Sequence, residues 1–134
     1  ATILLVEDSE DDVFMMRRAL KQAGLSNPIQ IATDGQQAVD YLAGHDRFAD
    51  RSAHPLPALV FLDLKLPYLN GFEVLDWKRQ QRELDAVVVV VMTGSAEKRD
   101  QDKARALGAR SYLVKPPTKQ AMIDLFASLK IPAV

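Results

Sequence analysis

The chain has 134 residues, 48% apolar and 26% charged, with 17 Lys plus Arg against 18 Asp plus Glu and a net charge of −1. That size and balance predict one folded domain spanning residues 1–134, able to bury about two-thirds of its unfolded surface. The charge shows no basic excess for nucleic acid or anionic lipid, the lack of cysteine excludes disulfides and thiolate chemistry, and the longest apolar run (Ala86 to Met92) falls far short of the ~18 residues of a membrane span. Glu7 and Asp8 break the N-terminal apolar run, so no signal-peptide core is present and a cytoplasmic location is expected.

The elements alternate between short apolar runs and amphipathic stretches. Thr2 to Val6 reads as a buried strand ending in acids. Val13, Met16, Leu20 and Ala23 then recur at helical spacing, with Ser9 and Asp12 as a start signal and Gly24 as a stop. Asp11 and Asp12 sit where negative charge favours a helix N-terminus. Ile29 to Ala32 is a second strand, and Ala38, Val39, Leu42 and Ala43 mark a second helix. Gly44 to Pro57 is an irregular polar stretch, read as a functional loop or a prolonged helix end. It holds His45 and His54, both expected on the loop surface. Leu59 to Leu62 is a third strand, and Phe72 to Lys78 opens a third helix after Gly71, with Trp77 half-buried on it. The five valines Val87 to Val91 form the clearest buried strand. A thin, charged fourth helix follows from Ala96 to Leu107, capped by Ser95 and stopped by Gly108. Ser111 to Val114 is a fifth strand. Thr118 caps a last helix with Met122, Leu125, Phe126 and Leu129 on one stripe.

Alternation of this kind predicts an α/β fold: a doubly wound, five-stranded parallel sheet of order 2-1-3-4-5, flavodoxin-like, covered on both faces. Ligands of such sheets bind beyond the carboxyl ends of the strands. There the chain places Glu7 and Asp8, Asp63, Thr93 and Gly94, and Lys115. Clustered carboxylates repel, and a hard divalent cation such as Mg²⁺ relieves that repulsion. Lys115 offers a positive charge to a phosphoryl oxygen, Thr93 a hydroxyl, and Gly94 an unobstructed amide. An aspartate can receive a phosphoryl group as a nucleophile. These pieces fit phosphoryl acceptance on a carboxylate, driven by positioning and charge neutralisation.

With these residues in place the chain resembles a response-regulator receiver domain over nearly its whole length. The resemblance rests on Glu7-Asp8, on Asp63 with Pro67 and Gly71 downstream, on Thr93, and on Lys115-Pro116. It implies that Asp63 is the phospho-acceptor. It implies that Glu7, Asp8, Asp63 and the backbone carbonyl of Lys65 hold Mg²⁺. Thr93 and Lys115 would bind the phosphoryl group, helped by the backbone of Lys65 and Gly94. The Lys115-Pro116 peptide would be cis, and Tyr112 would join Thr93 as the switch. Lys65 and Ser95 fall where this family tunes phosphoryl lifetime. The opening Ile3 to Asp12, the Gly44–Pro57 stretch and Leu62 to Pro67 resemble single-domain regulators that partner phytochrome-type histidine kinases. That resemblance implies a kinase as phosphoryl donor and a downstream protein or histidine phosphotransfer partner. It also suggests a homodimer through the fourth helix, fifth strand and fifth helix, and no output domain.

Other readings weigh less. Each carboxylate alone reads as solvated, Asp63 before its loop as turn chemistry, Lys115 as a loop lysine and Tyr112 as packing. An aspartyl-phosphate hydrolase needs a second acid two residues beyond the nucleophile, where this chain has Lys65. A flavodoxin-like nucleotide binder needs a Ser-, Thr- or Gly-rich phosphate loop after the first strand. The acids from Glu7 to Asp12 would repel that ligand.

Overall fold

The computed structural model describes residues 1–130. Five strands form one parallel sheet: β1 (Ile3–Val6), β2 (Ile29–Ala32), β3 (Leu59–Leu62), β4 (Val88–Thr93) and β5 (Ser111–Val114), in the order β2-β1-β3-β4-β5. The order is the one expected from the alternating pattern. Ile3 pairs with Ile29 on one side and Leu59 on the other, and Leu59 in turn with Val88. Because the register is level, Val6 and Leu62 finish side by side, and β4 runs two residues past Val91 to end at Thr93 beside Val114. The residues that follow them therefore share one edge.

Five helices cover the sheet: α1 (Glu10–Gln22), α2 (Gly35–Ala43), α3 (Gly71–Arg79), α4 (Lys98–Ala106) and α5 (Lys119–Leu129). Alternation along the central strands divides the core. Leu4, Val6, Val60, Leu62, Val89 and Val91 face the side of α2, α3 and α4. Ile3, Leu5, Leu59, Phe61, Val90 and Met92 face α1 and α5, whose Met16, Leu20, Met122 and Phe126 complete that layer. Burial on both faces explains why these strands read as unbroken apolar runs.

Local signals place the helix ends. The Ser9 hydroxyl accepts from the Asp12 amide at 3.3 Å, and Gly24 takes a left-handed φ of +80° just past the end of α1. Asn70 and Glu73 form a reciprocal capping box at α3. Thr118 caps α5 through the Ala121 amide, as expected. Ser95 does not cap α4. That helix begins at Lys98, later than Ala96, with Glu97 at its N-cap and no side-chain cap. The Ser95 hydroxyl instead donates to Asp100 at 2.7 Å and accepts from the Glu97 amide, so it braces the loop ahead of the helix.

The Gly44–Pro57 stretch is a packed segment. Gly44 ends α2 in the left-handed region, and Asp46–Phe48 forms a single 3-10 turn that buries Phe48. Arg51 donates to the carbonyl of Tyr41 at 2.8 Å, which also accepts from the Gly44 amide, and to that of Leu42 at 2.9 Å, so it braces the end of α2. The Tyr41 hydroxyl donates to the Pro55 carbonyl at 2.7 Å. His45 is exposed, as expected, but His54 is not a surface residue. Its half-buried ring stands edge-on to Tyr41 and Phe48, with centroids 5.9 and 5.2 Å away.

Gly71 holds the β3–α3 connection against the edge of the sheet. Its amide donates to the Leu64 carbonyl at 2.9 Å. A Cβ there would lie 2.4 Å from the Asp63 carbonyl oxygen and 2.7 Å from Leu64 Cα. Both are backbone atoms, so the connection itself would have to move. Gly71→Ala is expected to cost about 1–3 kcal/mol of stability, measured by urea denaturation. An unchanged midpoint would show that the connection is slack.

Candidate functional site

At the carboxyl edge, each strand hands its next residue to a common space. The Glu7 amide donates to the Ala32 carbonyl, the Asp63 amide to Val6 and the Lys115 amide to Thr93, so the ladder continues one step past β1, β3 and β5. Three elements therefore fix Glu7, Asp63 and Lys115 before any side chain interacts.

The side chains converge on one ammonium. Lys115 Nζ donates to Glu7 Oε2 at 2.6 Å, to Asp12 Oδ2 at 2.7 Å and to Asp63 Oδ2 at 3.0 Å. The lysine side chain is 18% exposed and that of Asp63 9%. A cavity of about 20 Å³ under the carboxylates is walled by Met16, Phe61 and Met92, which lowers the local polarity and strengthens each ion pair. The other Asp63 oxygen accepts from the Lys65 amide at 3.3 Å, and Glu7 Oε1 accepts from the Ser9 amide at 3.1 Å.

One lysine does not balance this much negative charge. Burial pushes the Glu7 carboxyl up to about 7, helped by the charge of Asp63 and opposed by hydrogen bonds from Lys115 and Ser9. Lys115 is held above its ordinary value. Burial works against its charge, but the hydrogen bonds to Asp12, Glu7 and Asp63 outweigh it.

Glu7 has consequences for stability. Its pKa is 4.5 unperturbed and about 7 in the fold, so the native protein binds that proton more tightly than the unfolded chain. Its contribution is complete below about 4.5 and lost as pH rises through about 7. Metal-free protein is thus expected to lose stability between pH 5 and pH 8, and Glu7→Gln to flatten that decline. Urea denaturation in EDTA at both pH values checks this, and equal slopes for the two proteins would refute it.

Carboxylate oxygens of Glu7, Asp8 and Asp63 lie within 4.8 Å of one another, and Asp8 is exposed while its two companions are buried. An all-oxygen set open on one side suits a hard cation that keeps several waters. Thr93 ends β4 at 1% exposure, and its hydroxyl has no hydrogen-bond partner among the described residues. Such a buried donor calls for an explanation. Gly94 beside it is exposed, with open space where a Cβ would lie. Tyr112 is buried, and its hydroxyl donates to the Ser95 carbonyl at 2.9 Å, tying β5 to the β4–α4 loop. Burial raises the phenol's pKa. The Lys115-Pro116 peptide is cis.

The fold thus gathers Glu7, Asp8, Asp63, Lys65, Thr93, Gly94 and Lys115 at one edge, with Tyr112 one link away. The sequence pattern places Asp12 only at the start of α1. Its contact with Lys115 spans 103 positions in the chain. No local sequence signal marks that pairing, because Glu7 and Asp8 precede the helix, which begins at Glu10.

Residues 3–127 match the response regulator receiver domain family, and the chain belongs to it. Receiver domains are signalling phospho-acceptors of two-component systems and bind Mg²⁺ through acidic residues. The chain is 38% identical over 114 residues to FilR2 of Methanothrix harundinacea, a probable methanogenesis regulatory protein, covering 85% of this chain and 71% of that one. It is 34% identical over 124 residues to the response regulator Rcp1 of Synechocystis sp., covering 92% and 80%. The Mn²⁺-bound structure of Rcp1 aligns with a TM-score of 0.79 at 28% identity, over 99% of this chain and 98% of that one. The bacteriophytochrome response regulator RtBRR aligns with a TM-score of 0.87 at 39% identity, covering 99% and 80%. Phytochrome-associated regulators are thus among its homologues. Among the described residues, no helix is long and apolar enough to cross a membrane.

Proposed function

We propose that this receiver takes a phosphoryl group from a histidine kinase onto Asp63 and changes its partner surface in response. The observation that carries the reading is the Lys115 ammonium bonded to Asp63 beside Thr93's unpartnered hydroxyl. In this reading an Asp63 oxygen forms a bond to phosphorus as the phosphorus–nitrogen bond of a phosphohistidine breaks. The imidazole leaves with the electron pair. Glu7, Asp8, Asp63 and the Lys65 carbonyl would hold Mg²⁺, which supplies neutralising charge beside the phosphoryl oxygens. Mn²⁺ in Rcp1 supports that assignment.

Lys115 pairs with one phosphoryl oxygen, and the Thr93 hydroxyl and the amides of Lys65 and Gly94 donate to the others. Movement of Thr93 toward the phosphoryl group is felt by Tyr112 through the β4–α4 loop, whose Ser95 carbonyl accepts the phenol. The donor is a kinase of the phytochrome type, as the RtBRR and Rcp1 likenesses suggest. In this reading the exchange takes place in the cytoplasm.

Output is a protein contact, either with a downstream partner or histidine phosphotransfer protein or with a second copy through α4, β5 and α5. The position of β5 at a sheet edge, with Val114 exposed, favours that face. The nearly complete cover of the Rcp1 chain supports reading residues 1–134 as one receiver domain.

Intact mass after incubation with acetyl phosphate and Mg²⁺ tests the reading. A single phosphoryl adduct that is lost with EDTA is expected, with size exclusion on the same sample reporting any dimer. No adduct with acetyl phosphate and no binding of beryllofluoride would overturn it.

A further inference from the structure

Lys115 is engaged three times, and two of its partners are residues that a divalent cation would also claim. Glu7 and Asp63 belong to the group of carboxylates within 4.8 Å of one another, whereas Asp12 lies outside it. A cation on that group competes with the ammonium for the Glu7 and Asp63 carboxylates, and like charges disfavour sharing. Asp12 carries no such conflict. It approaches from a different element, the first turn of α1, at 2.7 Å, and its side chain is 34% exposed, so it can follow a small shift of the lysine.

We propose that Asp12 is a positioning residue: it holds the Lys115 ammonium when a divalent cation takes Glu7 and Asp63, and so lets cation and lysine occupy the site together. The inference rests on the receiver reading above and goes beyond it, because it gives Asp12 a role separate from metal ligation and phosphoryl binding. Without Asp12 the lysine has only the metal-competent carboxylates to pair with, so cation and lysine oppose each other. The Asp12 effect on cation affinity must therefore act through Lys115. A carboxylate acting as a general negative charge would aid cation binding whether or not the lysine is present.

The test is Mg²⁺ affinity, by titration calorimetry, of the unsubstituted protein, Asp12→Asn, Lys115→Met and the double variant. Asp12→Asn is expected to weaken Mg²⁺ binding about fivefold when Lys115 is present and less than about twofold in the Lys115→Met background. Asp12→Glu is expected to recover most of the loss. Equal losses in both backgrounds would overturn the inference while leaving the receiver reading intact. Failure of the unsubstituted protein to bind Mg²⁺ would overturn both. Should Asp12→Asn not fold, a Mg²⁺-loaded crystal structure of the unsubstituted protein decides the matter. Lys115 Nζ bonded to Asp12 and released from Glu7 supports the inference, and Nζ still on Glu7 with Asp12 turned to solvent overturns it.

Discussion

Asp63→Asn is expected to abolish the phosphoryl adduct altogether. The substitution keeps shape and volume, and the side-chain oxygen can still accept from the Lys65 amide, which lies 3.3 Å from Asp63 Oδ1. What disappears is the anionic oxygen, and with it the nucleophile. Folding should survive. Asp63 is 7% exposed and its charge helps to push Glu7 up, so removing that charge relieves repulsion in metal-free protein. The variant is therefore expected to resist urea better than the parent in EDTA while taking up no phosphate. An adduct of unchanged yield would move the acceptor elsewhere, with Asp8 next in line.

Lys115→Ala is the second large effect, and it separates two roles. The residue is the shared counter-ion of Glu7, Asp12 and Asp63. Removing it leaves those carboxylates facing one another, at a cost of roughly 3 kcal/mol in metal-free protein. Mg²⁺ should restore much of that loss. Phosphorylation should persist, because neither the nucleophile nor the metal-capable carboxylates are touched. Its consequence should not. Without the ammonium to fix one phosphoryl oxygen, the group is not held where the Thr93 hydroxyl can meet it, and Tyr112 receives no displacement. Tyr112 resonances followed by NMR with and without beryllofluoride provide the measurement. A full response in the variant would take the coupling role away from Lys115.

Most of the fold was legible because parallel strands buried on both faces must read as Leu59 to Leu62 and Val87 to Val91 do. The site was legible wherever chemistry sits at a strand end. Glu7, Asp63, Thr93 and Lys115 needed only the strand order to be brought together. Features built from helix geometry or loop packing were harder to see. Asp12 looked like an ordinary acid in a first turn, and its partner Lys115 lies 103 positions away, so tertiary packing alone sets the pairing. Ser95 looked like a cap because a serine before a helix commonly is one. The Tyr112 phenol takes its carbonyl, however, and Asp100 takes its hydroxyl, which delays the helix to Lys98. The Gly44–Pro57 stretch looked irregular because its order comes from contacts between residues without periodicity, such as Arg51 with Tyr41.

That segment has a consequence for handling the protein. Arg51 is engaged with the carbonyls of Tyr41, Leu42 and His54, whereas Arg47 is exposed and rests its guanidinium over the Phe48 ring at 4.5 Å. Trypsin must draw an arginine and its flanking backbone into an extended strand before it can cut. Brief digestion of the native chain should therefore spare Arg51, while a nick at Arg47 would leave both fragments clasped together by the Arg51 guanidinium.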